Sequence, residues 1–341
     1  MTSAPGLADL PEVDWPHLSD SDLLERAIAA APRLAERLPL PAAGQTPQLW
    51  RSLSELGALD LTLARIVEPH LDATAILAQA GLDSPDLADG LFGVFAAEGP
   101  GARLTATEGE GSTWRLSGSK PWCSLADRVT SALVTAWVSD RERRLFLVEG
   151  LQSDASGYRI EPTPWVPRGL RLVQSPTVIF DERAAMPVGD VGWYLTRPGF
   201  AWGGAGVAAI WLGGAIGVAR RLWQASEHRE PDQIALMHLG AVDTAIAGAR
   251  ALLDQVGDEA DNGAEGGHAA TLASRARQSV HRVAEEVLWR ADHGLGPGPL
   301  TADEAHARRV ADLRVYLRQD HAEHDQVALG TRLRAAGTCP W

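Results

Sequence analysis

Between Leu116 and Val129 the chain reads "LSGSKPWCSLADRV", a stretch that holds several side chains able to do chemistry. Lys120 is the one lysine among 31 basic residues. Trp122 offers a flat face on which a planar ring can stack, and Ser124 two positions on offers a hydroxyl. Cys123 lies between them and, with Cys339, completes the count of 2 cysteines. Two are too few for a disulfide framework or a thiolate metal centre. If the stretch ends a strand, alternation puts Trp122 and Ser124 on one side and Cys123 on the other. Chemistry then belongs to whatever lies against the tryptophan, and Lys120 is expected to pin the hairpin or its junction with a neighbour.

A second concentration of reactive groups lies near the C-terminus in "DLRVYLRQDHAEHDQVALG", Asp312 to Gly330. Asp320, His321, Glu323, His324 and Asp325 crowd together there. On one continuous helix Arg314, Arg318 and His321 would share a face, with Asp325 continuing it. A carboxylate becomes a base at neutral pH only when it is desolvated, and Glu323 or Asp320 would have to be buried to act so. Two further motifs carry less. "Glu68-Pro69-His70-Leu71-Asp72" has metal-capable side chains, but no second ligand cluster accompanies it, so it reads as a solvated helix face and no metal site is expected. "Gly204-Ala205-Gly206-Val207-Ala208-Ala209" fits a dinucleotide fingerprint in letters only. The preceding "YLTRPGFAWG" is no strand, so the glycines are expected to serve helix packing.

Three blocks must position these residues. Residues 1–88 read as helical: "SDLLERAIAAAPRLAERL" follows an Asp/Ser cap, and a second helical stretch runs to Gly81 with breaks expected near Gly57 and Pro69. Residues 89–190 switch to short β-prone runs, "TWRLSGSKPWC", "VTSALVTAWV", "RRLFLVEG", "YRIEPTPWV" and "SPTVIFDE", with no helices between them. That pattern predicts an antiparallel sheet or barrel. Residues 191–341 return to helix, with spans expected at Phe200–His228, Asp232–Asp258, His268–Asp292 and Thr301–Leu333. The fold class is therefore α+β and multidomain: helical domain, β-barrel domain, four-helix bundle.

A formal net charge of −13 excludes nucleic acid and anionic membrane as the main partner. The acidic N-terminus has no apolar core of a signal peptide, so a cytoplasmic protein is expected. Gly199 to Ala219 carries no charge and has the length of a membrane span, but its many small residues predict a buried central helix instead.

With this order of blocks, Leu116, Gly118, Lys120, Trp122 and Ser124 resemble the middle-domain motif Leu-x-Gly-x-Lys-x-Trp-x-Thr/Ser of the acyl-CoA dehydrogenase family, of which the chain looks like a divergent, short member. The resemblance implies a bound FAD, with Trp122 packed on the flavin ring and Ser124 as a donor near its N5. The family's upstream loop, Thr-Glu-Pro-x-x-Gly-Ser-Asp, aligns with Ala97 to Leu104. Ala97 stands for the threonine, Arg103 for the serine, and the backbone of Glu98 to Gly101 could still serve the flavin. Arg229 is the nearest counterpart of an arginine that reaches the FAD pyrophosphate across a subunit interface. The family's base motif Tyr-Glu-Gly is not met at Tyr316-Leu317, so Glu323 or Asp320 would have to substitute for its glutamate, and Glu323 with His321 is taken as the catalytic pair. The implied activity is α,β-dehydrogenation of an acyl-CoA or other acyl thioester, a CH–CH oxidoreduction in a homodimer or homotetramer that hands electrons to a partner protein or reductase. Two alternatives stay open on the same fold: a flavin-dependent monooxygenase, suggested by "Arg318-Gln319-Asp320-His321", and a non-catalytic partner subunit.

Overall fold

The computed structural model describes residue 7 and residues 10–82, 84, 86–109, 113–154, 156–162, 164–228 and 230–341. Helix α1, Asp20–Ala35, begins where Ser19 Oγ accepts the Asp22 N–H, satisfying one of the four unpaired donors of a first turn. Helices α2, Thr46–Leu59, and α3, Leu61–Ala80, meet at Asp60. Asp60 is extended, ends α2, and caps α3 by accepting the Thr62 and Leu63 N–H groups at 2.9 and 3.1 Å. The break thus falls three residues beyond Gly57, and α3 runs straight through Pro69. Gly57 serves packing: a Cβ there would overlap the Ile210 carbonyl. A short turn, α4, Asp86–Asp89, leads into the β block.

Strands β1, Phe92–Phe95, and β2, Leu104–Glu108, precede the five runs legible in the sequence: β3, Trp114–Lys120; β4, Ser131–Trp137; β5, Arg143–Val148; β6, Tyr158–Ile160; and β7, Val178–Val188. The order β4-β2-β3-β7-β5 closes because β5 also pairs with β4, with β1 beside β4 and β6 beside β7. Closure pairs each of the five barrel strands on both sides, while β1 and β6 each pair along one side only. Pairing is antiparallel except where β1 and the tip of β2 meet β4 in parallel. β1 and β2 lie on opposite sides of β4, so the chain crosses that strand between them. Gly118 marks a register shift in β3 at φ +119°, where a Cβ would strike the Arg103 carbonyl.

A short turn, α5, Trp193–Thr196, leads to α6, Phe200–His228, the buried axis of the molecule. It packs against α2 and α3 on one side and on the other against α7, Gln233–Asp261, and α8, Gly266–Leu295. Gly213 lets α6 touch the Ser54 carbonyl of α2, reciprocating Gly57. Beyond a short α9, Gly298–Ala302, the expected single helix Thr301–Leu333 is broken. Helix α10, Glu304–Tyr316, passes through a 3₁₀ turn, Leu317–Gln319, before α11, Glu323–Ala335. The break is built in: buried Asp320 accepts from Gln278 Nε2 at 2.7 Å and from the Ala322 N–H at 3.1 Å, and Ala322 takes φ +49°. Arg314 and Arg318 both turn to α8, pairing with Asp292 and Glu285, while His321, beyond the break, pairs with Asp325.

The three blocks meet at α10. Asp312 Oδ1 accepts the Leu170 N–H at 2.6 Å, and its Oδ2 accepts from Thr62 Oγ1 at 3.3 Å. Arg308 pairs with Asp60. Gly169 lies so close to Ala311 that no Cβ would fit between them.

Candidate functional site

Lys120 ends β3 with its side chain 1% exposed. Burying an ammonium is costly unless it is paired, and here it donates to Glu98 Oε1 at 2.7 Å and to Thr135 Oγ1 at 2.8 Å. Burial draws the Lys120 pKa below its ordinary value against the pull of Glu98. Burial pushes Glu98 the other way, but hydrogen bonds from Lys120, Trp137 and Arg143 hold its carboxyl below the usual range. The one lysine thus anchors the loop after β1 to the barrel, the pinning role expected of it.

Beyond Lys120 the chain leaves the sheet. Trp122 takes a left-handed φ of +60° and is 59% exposed, an unusual exposure for so large an indole. Gly99 comes in beside it, and a Cβ there would stand 3.2 Å from the Pro121 ring. Cys123 turns inward, and burial pushes its thiol up to about 12, so it is inert. Ser124 Oγ lies 2.9 Å from Ser175 Oγ and accepts from Arg65 Nη2 at 3.1 Å. The Ser175 loop is the same one that Asp312 clamps at Leu170.

Arg65 leads to the part of the site that the sequence did not disclose. It stands on α3 one turn before Glu68 and donates Nη1 to Glu68 Oε2 at 3.3 Å, so one guanidinium joins Glu68 to Ser124. Glu68 is 18% exposed. Burial pushes its pKa up to about 7; Arg65 opposes this and Asp72 adds to it. Tyr316, fully buried on α10, sits under the Arg65 guanidinium. Its hydroxyl lies close enough to favour the Glu68 carboxylate, yet makes no hydrogen bond of good geometry. From α8, Arg277 donates to the Gly204 carbonyl at 2.6 Å and covers the Trp211 ring. Asp72, one turn beyond Glu68, is also raised by burial, against Arg197, which donates to it at 3.1 Å. Glu68, Asp72 and Thr74 lie on the wall of a small pocket of about 50 Å³ between α1, α2, α3 and α6, lined otherwise by apolar residues and glycine, Trp50 and Trp202 among them.

Of the residues singled out in the sequence, Ala97, Glu98, Trp122 and Ser124 fall on neighbouring loops at one end of the barrel. Arg229 lies outside the described residues. His321 is 76% exposed and pairs with Asp325 at 3.4 Å, and Glu323 is exposed in the first turn of α11. Among the described residues, no contact joins either of them to Trp122 or Ser124. "Glu68-Pro69-His70-Leu71-Asp72" is not a solvated face: His70 is buried and accepts the Phe92 N–H at 3.2 Å, while Glu68 and Asp72 point inward. The overlooked signal was Arg65, Glu68 and Asp72 recurring at three and four on a helix that is apolar on its other sides.

Neither a protein-family model nor a curated protein matches the chain by sequence. Solved structures do match by fold. Butyryl-CoA dehydrogenase from Megasphaera elsdenii is 18% identical, with a TM-score of 0.73 over 92% of this chain and 89% of that one. TdsC from Paenibacillus sp. A11-2, solved with FMN and indole, is 17% identical at TM-score 0.74 over 94% and 91%. The nitrososynthase from Micromonospora carbonacea var. africana is 18% identical at TM-score 0.72 over 99% and 100%. At such identities the likeness shows the fold, and it is the fold that the sequence resemblance implied.

Proposed function

On this acyl-CoA dehydrogenase fold, we propose a flavin-dependent oxidoreductase in which Glu68 is the base that takes a proton from a carbon next to a carbonyl, the reaction being α,β-dehydrogenation of an acyl thioester. The observation that carries the reading is the Arg65 guanidinium, held between Glu68 and Ser124. It couples a carboxylate poised near pH 7 to the segment against which a flavin would lie. The residues present fit a flavin: an exposed Trp122 face, the Ser124 hydroxyl, and the bare backbone of Gly99 beside them. Ala97 offers no side-chain donor, so the Glu98–Gly101 backbone would serve the polar edge. When bound, the flavin supplies the hydride acceptor.

The chain's own groups do the rest. Glu68 ionised at neutral pH receives the proton, because burial has brought its pKa to the working range. Arg65 holds that carboxylate toward Ser124 by a charge-assisted bond, and Tyr316 keeps water off the same oxygen atoms. Glu323, solvent-exposed, lacks the desolvation that makes a carboxylate a base, and we assign it no such role. The full cofactor is proposed as FAD, in a cytoplasmic homo-oligomer served by an electron-transfer partner. Helix α7 supports the oligomer. It is long and apolar enough to span a membrane by composition, yet only 28% of its most apolar window is buried, and Ile234, Leu236 and Met237 are exposed.

The test is flavin loading followed by anaerobic mixing with butyryl-CoA. Wild type is expected to take up FAD and to lose absorbance near ~450 nm, and Glu68→Gln to take up FAD without bleaching. Bleaching by the Glu68→Gln protein at the wild-type rate would overturn the base assignment, and a chain that binds no flavin would support the non-catalytic partner subunit. TdsC and the nitrososynthase favour a second reading, a monooxygenase fed with reduced flavin. It predicts oxygen consumption with substrate and no bleaching by acyl-CoA.

A further inference from the structure

Between α2, α6 and α7 runs a groove of about 300 Å³, a volume at the low end of what small-molecule sites occupy. Its floor is apolar, made by Ala58 of α2, Leu212 and Ile216 of α6 and Leu253 of α7. Its rim is charged: three arginines, Arg51, Arg220 and Arg250, stand against two carboxylates, Glu55 and Asp254. The excess is positive, in a chain of net charge −13.

The three arginines are not equally occupied. Arg51 is taken up by Asp254, through Nε to Oδ1 at 3.0 Å and Nη2 to Oδ2 at 2.9 Å, the paired geometry that satisfies a guanidinium. Arg220 and Arg250 have neither a hydrogen bond nor an ion pair among the described residues. Burial draws the Arg220 pKa below its ordinary value, with Glu55 opposing and Arg250 adding its repulsion. Two cations on one groove disfavour each other, and an anion between them relieves both. On α2 the charged rim stands on the face of Arg51 and Glu55, whereas the pocket beside Glu68 lies on that of Leu49 and Leu53, so the two sites are separate.

We propose that this groove is a second ligand site, one that takes a small aliphatic carboxylate. The carboxylate sits between Arg220 and Arg250, and the hydrocarbon runs along Leu212, Ile216 and Leu253. The site stands whether or not Glu68 is a base. A groove of about 300 Å³ has roughly twice the ~150 Å³ that holds benzene, so an occupant of about ten heavy atoms fits. Octanoate is of that size, with one charged end and an apolar chain.

The test is calorimetric titration of the full chain with octanoate and with 1-octanol, which carries a hydroxyl in place of the carboxylate. Wild type is expected to bind octanoate about tenfold more tightly than octanol. Raising the salt from ~0.1 M to ~1 M, which shortens the screening length from ~10 to ~3 Å, should erase most of that preference. In Arg220→Gln/Arg250→Gln the octanoate affinity should fall about tenfold and the octanol affinity stay within about twofold. Glu68→Gln should bind octanoate as wild type does. Octanoate no tighter than octanol, a preference that survives ~1 M salt, or an unchanged octanoate affinity in the double variant overturns the proposal. So does a loss of about tenfold in Glu68→Gln, which would put the ligand beside Glu68. The salt comparison is made on wild type, so a double variant that fails to fold leaves the proposal open to refutation.

Discussion

At the scale of single residues, Glu68 and Lys120 show two outcomes of burying a charge. Lys120 has Glu98 and Thr135 at hydrogen-bond distance and stays an anchor; Glu68 has only a 3.3 Å contact with Arg65 and a neighbouring Asp72, and its proton affinity rises. Activity is accordingly expected to climb with pH through a midpoint near 7, as Glu68 ionises, and Glu68→Gln to lose about 10²–10⁴-fold. Stability runs the other way. With the folded pKa raised to about 7 from 4.5, the native state holds more protons than the unfolded one between those values, so this group's contribution falls as pH rises from about 4.5 to 7. Glu68→Gln should therefore be more stable than wild type at pH 8 by about 1–3 kcal/mol and unfold at a higher temperature, and the gain should shrink at pH 5. A midpoint that drops in the variant at pH 8 would show that Glu68 is a structural ion-pair partner. Trp122 and Ser124 enter the proposal from sequence because a short motif fixes their types and spacing. Glu68 was missed because the spacing of Arg65, Glu68 and Asp72 marks only that they share a face of α3, while burial of that face depends on what α10 and α8 bring against it.

At the scale of elements, helix spans follow from local signals and helix crossings do not. Phe200–His228 was legible to the residue, since a stretch without charge from Gly199 to Ala219, bounded by Pro198 before it and the Glu230-Pro231 turn after it, leaves little choice. The glycines within it read as packing residues, whereas Gly57 in α2 read as a break. The crossing decides for packing, with Gly57 against Ile210 and Gly213 against Ser54. Gly213→Ala tests this. In an exposed helix that change gains about 1 kcal/mol from helix propensity; here a Cβ meets the Ser54 carbonyl, and a net loss of about 1–3 kcal/mol is expected from forced backbone shifts. Thermal unfolding of the variant measures it, and a gain in midpoint would mean that α2 and α6 are not held so close. The C-terminal break was missed for a related reason. "DLRVYLRQDHAEHD" carries no proline or glycine, and the turn at Asp320–Ala322 is held by Gln278 from another helix.

At the scale of the whole molecule, the order helix, barrel, helix was plain from the change of hydrophobic period, but the joint between the blocks was not. Asp312 makes that joint with two oxygens, one to Leu170 of the barrel's long loop and one to Thr62 at the start of α3. The same loop carries Ser175, which faces Ser124 at 2.9 Å, so the candidate site depends on a residue one turn before Tyr316 on α10. Burial pushes Asp312 up to about 6, the Leu170 N–H and Arg308 opposing. As with Glu68, the raised value means that its contribution to stability falls as pH rises from about 4 to 6. Asp312→Asn and Asp312→Ala separate the joint from the charge. The asparagine keeps an acceptor for the Leu170 N–H and should hold the midpoint while flattening this part of the pH dependence. The alanine leaves that N–H and the Thr62 hydroxyl without their acceptor and should cost about 2–4 kcal/mol. If Ser124 is set through this loop, the alanine variant should also release flavin more readily than the asparagine variant at a temperature where both are folded. Equal flavin retention in the two would mean that the Ser175 loop keeps its place without Asp312.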